Sequence, residues 1–226
     1  MPEQKDRSAL PQPDHLVDHQ RVIGISDAVF AFALTLLVLE IRVPGGLNKT
    51  DLINTLLGMG PRLLVYLISF LIIGLAWDGH QRIMSRILWS DGVLVWLNMA
   101  TLLFVTLLPA TSALLGQYPT EPLAVACLAA NGCLLDLAEW LLWRHACVNH
   151  RLVSPDLPDG IIRMVGQIVL ASAVVYGLSI FIAFVSIPLV GIACVAAQVA
   201  SYLMPRWFLR MANARKAPVK SNNGGR

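Results

Sequence analysis

RVIGISDAVFAFALTLLVLE, residues 21–40, is the stretch on which the fold of this chain turns. Between Ala28 and Leu39 only Thr35 is polar, yet the run opens with Arg21, Ser26 and Asp27. An ionised carboxylate placed in a bilayer-length helix costs about 2.5 kcal/mol or more, so Asp27 is expected to face protein or water and to find a partner. Ala28, Phe32, Thr35 and Leu39 recur at steps of four, three and four and therefore share one helical stripe. In a soluble protein such a stripe would mean core. In lipid every face of a helix can be apolar, so periodicity alone does not say what this one meets.

The rest of the chain resembles that stretch in character. Hydrophobic residues make up 56% of it and charged residues 14%, with a mean hydropathy of +0.65. Ordinary globular domains are far less apolar. No alternation of polar and apolar residues runs through the sequence, so helices rather than a barrel must satisfy the backbone in hydrocarbon. The expected fold class is an all-α integral membrane protein whose first partner is the lipid bilayer.

Six apolar runs are each about as long as a bilayer requires, roughly 20 residues. They are residues 21–40; Leu52 to Trp77, starting in earnest near Pro61; Val93 to Leu115; Pro122 to Trp143; Ile161 to Ile187; and Pro188 to Trp207. A polar loop carrying Asn48, Lys49, Thr50 and Asp51 separates the first two, and Leu115 to Pro122 is a short turn. The expected organisation is a cytoplasmic tail over residues 1–20 without a signal peptide, a six-helix domain over 21–210, and a basic disordered cytoplasmic tail over 211–226. Six spans put both termini on one side. Of the 17 lysines and arginines, all but Arg42, Lys49 and Arg62 fall on that side, which the positive-inside tendency makes cytoplasmic. The net charge of +3 then needs no nucleic acid to explain it.

The polar residues exclude several chemistries. Ser26, His80 and Asp27 lack a nucleophile elbow or a zinc-protease motif around them, so an enzyme is not expected. His15, Asp18 and His19 lack a further ligand and read as part of a solvated tail. His145, Cys147 and His150 read as interfacial residues rather than a metal centre. Cys127, Cys133, Cys147 and Cys194 form no CxxC pair and are expected to be free thiols. A proton-coupled secondary transporter is the alternative function, with Asp136 and Glu139 as its buried acids, although no inverted repeat is visible. A channel demands less, namely a path, a constriction and a support for it. One six-span subunit has few polar residues to line a private pore, which favours several copies about an axis. The first span is the candidate lining, with Thr35 supplying hydroxyls and Phe32, Leu36 and Leu39 able to close a path by dewetting. Thr35 could instead bond its own helix backbone, and Trp77, Trp89 and Trp143 could serve as interface anchors.

At these residues the sequence resembles a known family. Arg21 to Asp27, RVIGISD, is similar to the R-x-x-x-F-S-D signature of the endolysosomal potassium channel family (transmembrane protein 175 family), in its prokaryotic single-repeat branch. Ile25 stands where that signature has phenylalanine. The likeness extends through Ala28 to Ala31, Thr35 to Glu40, Trp77 to His80, Asn98, Leu107 to Pro109 and Leu114 to Tyr118. It covers the first half closely and the second half by span count and length. The resemblance implies a homotetramer of six-helix subunits around a central pore lined by the first helix. It implies pore layers at Phe32, Thr35, Leu36 and Leu39, and a polar network of Arg21, Ser26, Asp27, Trp77, His80 and Asn98. The expectation is a passive, potassium-preferring channel of the bacterial inner (plasma) membrane, with no cofactor and potassium as the permeant ion.

Overall fold

The structure is a computed structural model that describes residues 17–41, 45–46 and 48–200. Residues 1–16, Arg42, the end of the sixth expected span and the whole basic tail lie outside the described residues. Among those described, five helices are long and apolar enough to cross a membrane. They are α1 (His19–Leu36), α3 (Gly60–Met84), α4 (Gly92–Gln117), α5 (Pro122–Cys147) and α6 (Asp159–Ile182). A shorter apolar helix, α7 (Ile187–Ala200), covers the described part of the sixth span.

Helix ends follow local chemistry. The Asp18 carboxylate caps α1 by accepting the Gln20 N–H at 3.0 Å, and Asp91 caps α4 through the Leu94 N–H at 2.8 Å. Proline occupies the first turn of α3 and of α5, where its missing N–H costs nothing. One sequence expectation needs correction. The polar segment after the first span does not stay a loop: Asn48 accepts the Asp51 N–H at 2.9 Å and starts a separate helix, α2 (Lys49–Gly58), which buries none of its residues. Leu52 to Gly58 therefore belong to α2 rather than to the second span.

A second correction concerns the start of α1. His19 is not a solvated tail residue: its Nε2 donates to the Met84 carbonyl at 3.0 Å, and its Nδ1 accepts from Ser90 Oγ at 2.7 Å. The Val17 N–H donates to the Ser90 carbonyl at 2.8 Å, and the Leu88 N–H to the Leu152 carbonyl at 2.8 Å. These bonds tie together the entry to α1, the α3–α4 connection and the α5–α6 connection. Beneath them Val22, Met84, Leu94, Leu142 and Trp143 form one apolar cluster.

A second cluster in mid-bundle joins Phe30, Ala33 and Leu37 to Ile73, Leu102, Val105 and Leu135. The helix α4 lies at the centre, packed by α1, α3 and α5, while α6 packs on α5. Gly132 lets the Tyr176 ring of α6 pack directly on the backbone of α5. A Cβ there would lie 2.9 Å from the Tyr176 ring.

Candidate functional site

The two faces of α1 have opposite fates. Val22, Ser26, Phe30 and Ala33 point into the subunit and are buried. On the other side run Arg21, Gly24, Ile25, Ala28, Phe32, Thr35 and Leu39, all exposed in the isolated subunit. Phe32 is 63% exposed and Leu39 59%, while Leu36 is half-buried at the edge of this face. Thr35 donates its hydroxyl to the Phe32 carbonyl at 2.8 Å, which leaves its oxygen lone pairs facing outward. A residue's side of the helix follows from its register, so the stripe read from spacing is the outward one.

The inward face carries polar fastenings. Asn98, fully buried on α4, donates from Nδ2 to Ser26 Oγ at 3.0 Å, and Ser26 donates to the Val22 carbonyl at 3.0 Å. Both groups would be costly to bury alone, and each satisfies the other. Asp27 sits at the flank of α1, where its Oδ1 accepts the Trp77 indole N–H at 2.8 Å and a further bond from Gln81 Nε2. Trp77 and Gln81 are one turn apart on α3 and form a two-pronged donor for the carboxylate. Asp27 thus has the partners that its position in an apolar span requires.

His80 lies one position from Gln81 but turns into the bundle. Its Nδ1 stands 3.3 Å from Glu139 Oε1 of α5, and its ring packs against Phe30 at 5.5 Å between centroids. The structure therefore joins Ser26 with Asn98 and Asp27 with Trp77, and pairs His80 with Glu139. Arg21 is exposed at the start of α1 and forms no ion pair with a described residue. Sequence reasoning missed Gln81 and the His80–Glu139 pair. Gln81 lay four residues after Trp77, a helical neighbour spacing that could have flagged it.

At the end of the bundle that holds the start of α1, Asp91 gathers a second polar group. Its carboxylate lies 3.0 Å from His145 Nε2 and 3.2 Å from an Arg151 guanidinium nitrogen. Burial pushes the Asp91 carboxyl up, but the Leu94 N–H, His145 and Arg151 outweigh it and hold it below the ordinary value. His145 is thus an anchor between α5 and the cap of α4. All four cysteines are free, and no cluster of three metal-ligating side chains occurs among the described residues.

An exposed helical stripe with one hydroxyl layer among apolar rings can face lipid, other subunits or a water-filled path. It has no group suited to bond-making chemistry. Comparisons with known proteins bear on that choice. The family model described as endosomal/lysosomal potassium channel TMEM175 matches residues 21–109, the region from α1 through most of α4. A potassium channel of Streptomyces collinus is 34% identical over 173 residues, covering 75% of this chain and 84% of that protein. A potassium channel of Chamaesiphon minutus is 38% identical over 139 residues, 59% of this chain and 68% of its own length. The crystal structure of a lysosomal potassium-selective channel TMEM175 homolog from Chamaesiphon minutus superposes with a TM-score of 0.72 at 28% identity, covering 82% of this chain and 97% of that one.

Proposed function

The chain belongs to the TMEM175 family of channels, and from that premise we propose that it is a passive potassium channel of the bacterial plasma membrane in which four copies surround a pore lined by α1. The observation that carries the reading is the division of α1. Its inward face is fastened through Ser26 and Asp27, and its outward face offers a continuous stripe that no described residue of the subunit covers. Copies converging on one axis would turn Phe32, Thr35, Leu36 and Leu39 into stacked rings. The leucine and phenylalanine rings restrict the path by shedding water, and the Thr35 ring supplies oxygens to a partly dehydrated ion. Selectivity of this kind relies on a narrow greasy constriction rather than on a cage of backbone carbonyls.

The fastenings give α1 a rigid seat, which a constriction needs if its diameter is to discriminate between ions. Arg21 and the other bases at the ends of α3, α5 and α6 support a cytoplasmic orientation for that end by the positive-inside tendency. Purified protein reconstituted in liposomes should pass current under a potassium gradient alone, with a reversal potential that follows potassium more closely than sodium. Its mass in detergent should be that of four chains. A monomer that carries no current would refute the reading.

A further inference from the structure

Among the described residues, one histidine and two carboxylic acids are buried inside the membrane-spanning bundle, away from the outward stripe of α1. His80 is 1% exposed, and Asp136 and Glu139, one turn apart on α5, are each 6% exposed. An ionisable group at such depth needs a partner, a proton or access to water. Glu139 has the His80 imidazole of α3 at 3.3 Å. Asp136 has no ion-pair partner among the described residues. Its Oδ2 is buried without a hydrogen-bond partner, and its closest polar neighbour is the Ser172 hydroxyl of α6.

The nearest cations are already engaged. Arg82 pairs with Asp78 at 2.7 Å, and Arg86 donates to the Arg82 carbonyl. The other titratable groups around Asp136 are Cys133 on α5, Tyr176 on α6 and Cys194 on α7, none of them a countercharge, and α4 carries no titratable residue.

Asp136, Glu139 and Ser172 share the wall of a cavity of about 60 Å3 that also reaches Arg82 and Arg86 near the end of α3. A water needs about 10–15 Å3 and two or more polar partners, so this space has room for a few waters beside these oxygens. We propose that each subunit contains a proton-binding site, in which Asp136 holds a proton exchanged through the water of this cavity. A bare carboxylate there would carry its charge in a low dielectric without an ion-pair partner, whereas the protonated form is neutral and still hydrogen-bonds with Ser172 or cavity water.

The site goes beyond the pore reading and does not depend on it. Dicyclohexylcarbodiimide, an apolar reagent that adds to a carboxylic acid but not to a carboxylate, tests it without any measurement of flux. Full-length protein in liposomes is treated at a series of pH values, and the modified residue is located by peptide mass spectrometry. The expected result is an adduct on Asp136 at neutral pH that disappears in alkaline buffer and is unaffected by exchanging potassium for sodium. Asp136→Asn should abolish it. If that variant does not fold, the pH and salt series on the unaltered protein decides alone. Absence of an Asp136 adduct at every pH, or its suppression by either cation at constant pH, would overturn the proposal.

Discussion

The Trp77 indole N–H donates to Asp27 Oδ1 at 2.8 Å, so the flank of α1 is fastened to α3 through a carboxylate that also takes a bond from Gln81. Trp77 is partly exposed, which places the loss at the low end for bonds to charged groups. Trp77→Phe should therefore cost about 1–2 kcal/mol, read as a lower melting temperature in detergent. Asp27→Ala, which leaves no acceptor for Trp77 or Gln81, should lose at least as much. The double variant should lose clearly less than the two losses added, because both changes remove the Trp77–Asp27 bond.

Phe32→Ala and Leu39→Ala should leave subunit stability within about 0.5 kcal/mol, since neither side chain packs in the core. Both should raise potassium flux into liposomes by widening a greasy ring. Flux unchanged in both variants would place the constriction elsewhere.

Gly132→Ala sets a methyl group against the Tyr176 ring at 2.9 Å and should cost about 1–3 kcal/mol through overpacking of α5 on α6. Tyr176→Leu in the same chain should recover part of that loss. The comparison of melting temperatures between single and double variants checks it.

Asp91 makes stability fall in acid. Its carboxyl is held below the ordinary value of about 3.9, so its contribution is full above that pH and is lost as pH falls through the lowered one. Asp91→Asn should remove this acid-side dependence from a pH series of melting temperatures. It should keep part of the helix cap, because asparagine also accepts the Leu94 N–H. Asp91→Ala should lose the cap as well, at about 0.5–2 kcal/mol.

Much of the membrane-spanning architecture is legible in the sequence, because long apolar runs broken by proline, glycine and charge admit few arrangements in a bilayer. The exception is α2. The Asn48 cap signal was present, but the leucines after it blur into the next span, and only the break at Met59 and Gly60 separates the two helices. The polar contacts divide similarly. Asp27 announced itself by being an acid in an apolar run, and the structure supplies Trp77 and Gln81 as its partners. The approach of His80 to Glu139 depends on how α3 and α5 are rotated against each other, which no local spacing encodes. Nor does spacing tell that His19 reaches back to Ser90 across the end of the bundle.

The placement of α1 against α3 and α4, with α5 and α6 packed behind α4, divides the labour of the chain. The stretch matched by the family model ends within α4, so the staves of the proposed conduit and the buttress behind them are separate lengths of polypeptide. Such a plan lets the rear hairpin drift or acquire duties of its own while the front keeps its bore. Exchanging everything after α4 for the corresponding portion of a relative should therefore succeed only where the seams at His80–Glu139 and Asp91–His145 are kept.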